Sequence, residues 1–185
     1  MKRAAAVLLA ALVLGAPLAY ATTVRDRDDV TTGFDIAKTA GAHNRASDQL
    51  VHTIDFYEKL PHRVAKTGPP DSICVEIWTR SIPKESPADY EACATPAKGS
   101  AWKGSIARKR DRGPRLRIGD VKVEQPSDTR LVLRIDPDDV KRPTSYRWRT
   151  ESTSFATTCK STTGCPDYAP DRPSTAETKL SKPSA

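Results

Sequence analysis

No apolar run in this 185-residue chain is long enough to cross a membrane as a helix. The longest, Ala4–Leu18, holds about 15 residues where a span needs about 20. The closing "AETKLSKPSA" carries no apolar tail that would anchor it. Zinc motifs are missing too: the cysteines form no C-x-x-C pair, and His43, His52 and His62 are not at H-E-x-x-H spacing. There is no G-x-S-x-G nucleophile elbow and no glycine loop to cradle phosphate. A calcium loop of the EF-hand type begun at Asp26 meets Val30, Thr31 and Ala37 where it needs an oxygen ligand, glycine and glutamate. Aromatic content is low at 6%, and no internal repeat recurs at a fixed period. These absences narrow the field to a chain that binds or supports, or to an enzyme whose residues meet only in space.

What the chain does have begins with a leader pattern. Lys2 and Arg3 make a positive n-region, Ala4–Leu18 an apolar stretch broken by Gly15 and Pro17, and Ala19-Tyr20-Ala21 a small-residue cleavage motif. Residues 1–21 are expected to be a signal peptide cleaved after Ala21, and the product to be secreted and extracellular. Removing Lys2 and Arg3 leaves 28 of the 30 basic residues against 23 acidic ones, a net charge of +5 on 164 residues (185 less 21). That length suits one domain. Cys74, Cys93, Cys159 and Cys165 are an even set in an exported chain and read as two disulfides. Three pairings exist; sequence proximity favours Cys74–Cys93 and Cys159–Cys165. The first closes a loop of about 20 residues, worth roughly 3 kcal/mol in the chain-entropy model.

Period-two alternation runs nearly throughout. "QLVHTIDFY" puts Leu50, His52, Ile54 and Phe56 on one face; "SICVEIW" puts Ile73, Val75 and Ile77 opposite Cys74, Glu76 and Trp78. "DYEACA" is the expected hairpin partner that returns Cys93 to Cys74. Trp102, Gly104 and Ile106 share a phase, as do Leu131, Leu133 and Ile135, then Tyr146 and Trp148. "RLRIGDVKV" changes phase at Gly119-Asp120, from Leu116 and Ile118 to Val121 and Val123. With "FDIAKT" this makes about eight strands, separated by Pro- and Gly-rich turns. "DPDDVKRP" is expected to hold one helical turn. The fold class is all-β, an antiparallel β-sandwich of the jelly-roll kind over residues 22–168, with a mobile Pro/Ser/Thr/Lys-rich tail over 169–185.

The combination of "DDVTTGFDIAKT…LVHTIDFY", the strand "YRWRT" and the closing "CPDYAPD" resembles uncharacterised secreted proteins of high-GC Gram-positive bacteria. From about Asp29 to Asp171, that resemblance implies an exported β-sandwich module and transfers no catalytic residue.

Three places carry candidate chemistry. The run "RKRDRGPRLR" holds Arg108, Lys109, Arg110, Arg112, Arg115 and Arg117 against one acid, a local net of +5. As a hairpin tip it would capture anionic cell-wall polymer, polysaccharide or lipid headgroups. Nucleic acid is not expected, because base-stacking aromatics are missing there. Four aspartates, Asp29, Asp35, Asp167 and Asp171, form a composite calcium site if the two ends of the domain lie side by side. Otherwise Asp29 and Asp35 cap turns, and Asp26 and Asp28 are solvated. Glu76, Asp89 and Glu91 sit on strands expected to pair; together with an exposed Trp78 they would suit a carbohydrate-active hydrolase. His52 reads as a satisfied core histidine. The leading expectation is a non-catalytic binding or accessory module without a cofactor. The alternatives are the hydrolase and a calcium-stabilised structural domain.

Overall fold

The computed structural model describes residues 19–29, 34–60, 70–80, 87–97, 101–109, 113–155, 159 and 164–180. The apolar part of the expected leader, 1–18, lies outside these, as do His62, Arg110, Arg112 and the last residues of the expected tail. Among the described residues no helix is long and apolar enough to cross a membrane.

Twelve strands form two antiparallel sheets among the described residues. The first sheet contains β1 (Ala19–Arg25), β2 (Ile36–Asn44), β3 (Gln49–Phe56), β8 (Lys122–Ser127) and β9 (Arg130–Ile135), in the order β1-β2-β3-β9-β8. The second runs β11-β10-β4-β5-β6-β7. Its strands are β4 (Ser72–Trp78), β5 (Tyr90–Pro96), β6 (Trp102–Arg108), β7 (Leu116–Gly119), β10 (Ser145–Ser154) and β11 (Cys165–Ala169). The twelfth strand, β12 (Ala176–Lys179), pairs with the front half of β10, while β11 pairs with its rear half. A single 3-10 turn, Pro137–Val140, occupies the expected helical position, with the Asp136 carboxylate accepting from the Asp138 N–H.

Buried side chains of both sheets meet in one apolar cluster. Ile36, Leu50, Ile54, Leu131, Leu133 and Ile135 come from the first sheet; Ile73, Val75, Ile77, Ile106, Tyr146 and Trp148 from the second. Each fully buried side chain of this size contributes about 1.5–3 kcal/mol. Between Ile73 and Ile77 the alternation places Glu76 and Cys74 on the other face of β4, opposite Glu91 and Cys93 of β5. Cys74 and Cys93 are direct cross-strand partners with Cα atoms 4.0 Å apart and form the expected disulfide; Cys159 and Cys165 form the other.

The structure has four strands beyond the eight expected. The phase change at Gly119-Asp120 turns out to be a change of sheet: β7 ends in the second sheet and β8 begins in the first. Gly104 permits this crossing. A Cβ there would stand 2.0 Å from the Val121 carbonyl oxygen. The other additions are β1, β11 and β12. The segment expected to be a mobile tail is corrected at 176–179, which forms a strand with Ala176 and Thr178 buried.

Thr178 is the reason β12 belongs to the core. Its hydroxyl accepts from Trp148 Nε1 at 2.8 Å and donates to the Gly41 carbonyl at 3.2 Å. Beside it, Tyr146 Oη lies 2.9 Å from Nε2 of His52, whose ring meets Trp148 edge-on at 5.0 Å. Burial holds His52 neutral, its pKa lowered to about 3. His52 is the core residue expected, but it is satisfied only at Nε2; its Nδ1 is buried without a hydrogen-bond partner among the described residues. A Cβ on Gly41 would come within 2.7 Å of Trp148 Nε1, so this junction between the sheets tolerates nothing larger.

Candidate metal centre and the charged face

The aspartates converge. Asp26 and Asp29 follow β1, Asp35 immediately precedes β2, and Asp167 sits mid-β11. One carboxylate oxygen from each of Asp29, Asp35 and Asp167 lies within 4.8 Å of the other two. Oxygens bound to a common calcium ion at about 2.3–2.6 Å cannot be more than about 5 Å apart, so the spacing fits a shared ion. Asp35 and Asp167 are buried and Asp29 is exposed, so the cluster opens to solvent on one side.

Local bonding fixes the frame. Asp167 accepts the Ile36 N–H on Oδ2 at 2.7 Å and the Tyr168 N–H on Oδ1 at 2.7 Å. The Asp35 carbonyl accepts the Tyr57 N–H at 3.1 Å, and the Phe34 carbonyl accepts the Ser152 hydroxyl at 2.6 Å. The Tyr57 hydroxyl donates to the Asp26 carbonyl at 2.8 Å. Both flanks of the loop are therefore tied to the second sheet or to the end of β3.

No ion pair reaches Asp26 or Asp167 among the described residues. Burial pushes the Asp167 carboxyl up to about 7, with the negative charges of Asp26 and Asp35 adding to it. Asp26 rises to about 6 for the same reasons, with Asp171 and Asp29 as its charged neighbours. Its Oδ2 is buried without a hydrogen-bond partner. The set is all-oxygen and anionic, the donor chemistry of a hard cation. Of the four aspartates expected to ligate, Asp29, Asp35 and Asp167 come together. Asp171 is not in that group; like Asp29 it is a charged neighbour of Asp26, which in turn acts on Asp167. Nothing in the spacing of "RDRDD" distinguished Asp26 from Asp28.

The second charged region lies on the face of the second sheet. Arg149, Glu76 and Glu91 are consecutive cross-strand neighbours on β10, β4 and β5. Lys109 Nζ bridges Glu76 at 2.8 Å and Glu91 at 3.1 Å; Arg115 also pairs with Glu91. Arg149 Nε meets Glu76 Oε2 at 3.1 Å, with its guanidinium between Trp78 at 5.4 Å and Tyr168 at 5.1 Å. Burial pushes Glu76 up, but Lys109 and Arg149 outweigh it and hold the carboxyl below its usual range. Asp89 is likewise lowered against its burial, by Arg80 and the Thr79 N–H.

This accounts for much of the basic run. Of the four described cations in it, Lys109, Arg115 and Arg117 are ion-paired, the last with Asp120. Arg108 is exposed. Arg110 and Arg112 lie outside the described residues. Trp78, the expected sugar platform, is 4% exposed. The second metal-like grouping, Cys74, Glu91 and Cys93, offers no thiolate because its sulfurs form a disulfide. No family model, no curated protein and no solved structure matches this chain, so its site stands on its own geometry.

Proposed function

We propose that this protein is an exported, non-catalytic β-sandwich module that binds outside the cell and is stabilised by calcium held between its N-terminal loop and β11. The observation that carries this reading is the convergence of Asp29, Asp35 and Asp167 within 4.8 Å, with no ion pair reaching Asp167 among the described residues. The ion would join segments more than 130 residues apart in sequence, from Asp35 to Asp167. Its contribution to stability would follow mass action, about 2.7 kcal/mol at one hundred times its Kd. The two disulfides fit an oxidising compartment.

The hydrolase reading built on Trp78 is weakened by the state of the acids near it. A glycoside hydrolase needs one carboxyl kept protonated beside one ionised. Glu76 and Asp89 are both held ionised by cations, and Trp78 is covered. Capture of anionic envelope polymer by the basic run is retained as a reading of the exposed Arg108 and the weak Arg117–Asp120 pair. The deciding experiment is thermal unfolding of the oxidised protein with calcium and with EDTA, beside calorimetric titration of calcium. A rise in Tm of several degrees that disappears in Asp35→Asn supports the reading. An identical Tm in calcium and EDTA ends it.

A further inference from the structure

A sheet edge is an open row of N–H and C=O groups, and natural proteins normally blunt it. This protein blunts three of its edges. In β8, Pro126 removes a donor, the register is irregular between Glu124 and Ser127, and Lys122 adds charge. In β11, Pro166 does the same. Along β1, the Thr22 hydroxyl donates to the Glu177 carbonyl of β12, so the two sheets close on one another there.

The β7 edge shares two of these devices, the charge of Arg117 and an irregular register, but not the proline or the closure. It has no proline, and no strand pairs with its outer side among the described residues. Residues 113–118 are all exposed. Leu116 is 45% and Ile118 36% exposed, two of the three exposed large hydrophobic residues described. Arg115 and Arg117 alternate with them. The inner side is in regular register at Leu116, opposite Arg108, and at Arg117, opposite Ala107; the irregularity falls between Arg117 and Gly119, at Ile118. Its chemistry alternates cationic with apolar and is solvent-facing along a pairing-competent backbone.

We propose that the outer edge of β7 is a strand-addition site for an extended acidic segment of a partner protein, one in which carboxylates alternate with apolar side chains. Backbone pairing supplies the attachment, and the side chains opposite Arg117, Leu116 and Ile118 supply selection, Arg115 being held by Glu91. A second copy of this chain is the poorer occupant. Symmetric antiparallel pairing of β7 about Leu116 or Arg117 sets arginine against arginine, which is destabilising. The Arg117–Asp120 pair does not lock the edge, since both partners are exposed and such pairs exchange easily. The inference rests on the reading of the protein as a binding module, but it uses none of the aspartates. Calcium titration and peptide binding therefore fail separately.

The test uses the oxidised protein and a fluorescent octapeptide alternating Glu with Val, read by anisotropy at low salt. Three comparisons accompany it: a Lys–Val octapeptide, the Glu–Val peptide N-methylated at alternate amides, and heparin as competitor. Binding of Glu–Val at least about tenfold tighter than Lys–Val is expected, with about tenfold loss on N-methylation. Arg117→Glu should reverse the preference towards Lys–Val while leaving Tm unchanged, and Leu116→Asn should weaken both peptides. No binding of the Glu–Val peptide overturns the proposal. Equal binding of the N-methylated peptide overturns it too, and heparin displacement in that case identifies plain polyanion capture.

Discussion

Two regions of this protein bury carboxylates, and they resolve the cost in opposite ways. Around Glu76 and Glu91 the sheet supplies Lys109, Arg115 and Arg149, and the acid is held ionised below its usual range. Around Asp167 the chain supplies the Ile36 and Tyr168 N–H groups and the charges of Asp26 and Asp35, and its carboxyl is driven up to about 7. Burying a charge without a partner is unfavourable by several kcal/mol. A closed network of acids and bases is complete as it stands. A cluster of acids alone is complete only with protons or a cation, and this difference separates a structural feature from a candidate site.

The closed network should break hardest. Arg149 is nearly buried, pairs with Glu76 and lies between Trp78 and Tyr168. Arg149→Ala leaves Glu76 with Lys109 alone and removes both ring contacts, for an expected loss of about 3–5 kcal/mol in urea unfolding. Arg149→Lys restores charge without the planar guanidinium and should recover only part of that loss. A loss under about 1 kcal/mol for Arg149→Ala would show that the network is not a unit.

At the aspartate cluster the expected effect is smaller and depends on the solution. Asp167→Asn should abolish a calcium-dependent gain of about 2.7 kcal/mol at one hundred times Kd. In the metal-free protein the same change removes a buried charge but leaves the Ile36 or Tyr168 N–H facing the new amide NH2, so in EDTA its effect should be small beside the calcium-dependent gain it abolishes. A loss in EDTA as large as in calcium would mark a merely structural aspartate.

The pH profile sharpens the contrast further. Asp167 titrates near 7 when folded and near 3.8 when unfolded, so the folded state holds the extra proton in between. Its contribution to stability is therefore lost as pH rises from about 4 to about 7. Asp26, raised to about 6, acts in the same direction, discounted because it is only partly buried. His52 acts in reverse: about 3 folded against 6.5 unfolded, its contribution is full above 6.5 and lost as pH falls towards 3. With Asp26 and Asp167 against His52, metal-free protein should be more stable at pH 5 than at pH 7.5. The slope should stay below about 1.4 kcal/mol per pH unit. Replacing Asp26 and Asp167 together by asparagine leaves His52 opposed by Asp139, which burial also raises, and should reverse the slope between pH 4 and 6.5, readable as Tm against pH.

Alternation made the central strands legible, and with them the Cys74–Cys93 bridge, since both facts follow from period two and register. It failed where the inward residues are small or polar. In "AETK" the buried positions are Ala176 and Thr178, and a threonine that bonds Trp148 carries no apolar signal. In "CPDYA" the buried side chain between cysteine and alanine is Asp167, so β11 was not among the expected strands. The phase change at Gly119-Asp120 was visible, but a bulge and a change of sheet leave the same pattern. For the site, Asp29, Asp35 and Asp167 could be nominated because acids at both ends of a domain can meet. Which of Asp26, Asp28 and Asp171 would join them depends on side-chain direction in a loop. The ion pairing of Lys109 and Arg115 was hidden for the same reason: Glu76 and Glu91 become their neighbours only after three strands pair.

The smallest effect belongs to Arg117, and it measures how far burial matters. Arg117 pairs with Asp120 as Arg149 pairs with Glu76, yet its side chain is 55% exposed and that of Asp120 79%, against 8% and 6% for the buried pair. Water solvates both members after either is lost, and salt screens what attraction there is. Arg117→Ala should therefore change unfolding free energy by no more than about 0.5 kcal/mol, with even that difference vanishing at about 1 M salt. The Arg149→Ala loss should survive the same salt, because its pair lies beneath the reach of the solvent ions. A matching salt dependence at the two positions would mean that Glu76 is far more accessible than its burial indicates, and the contrast between the closed network and the aspartate cluster would lose its basis.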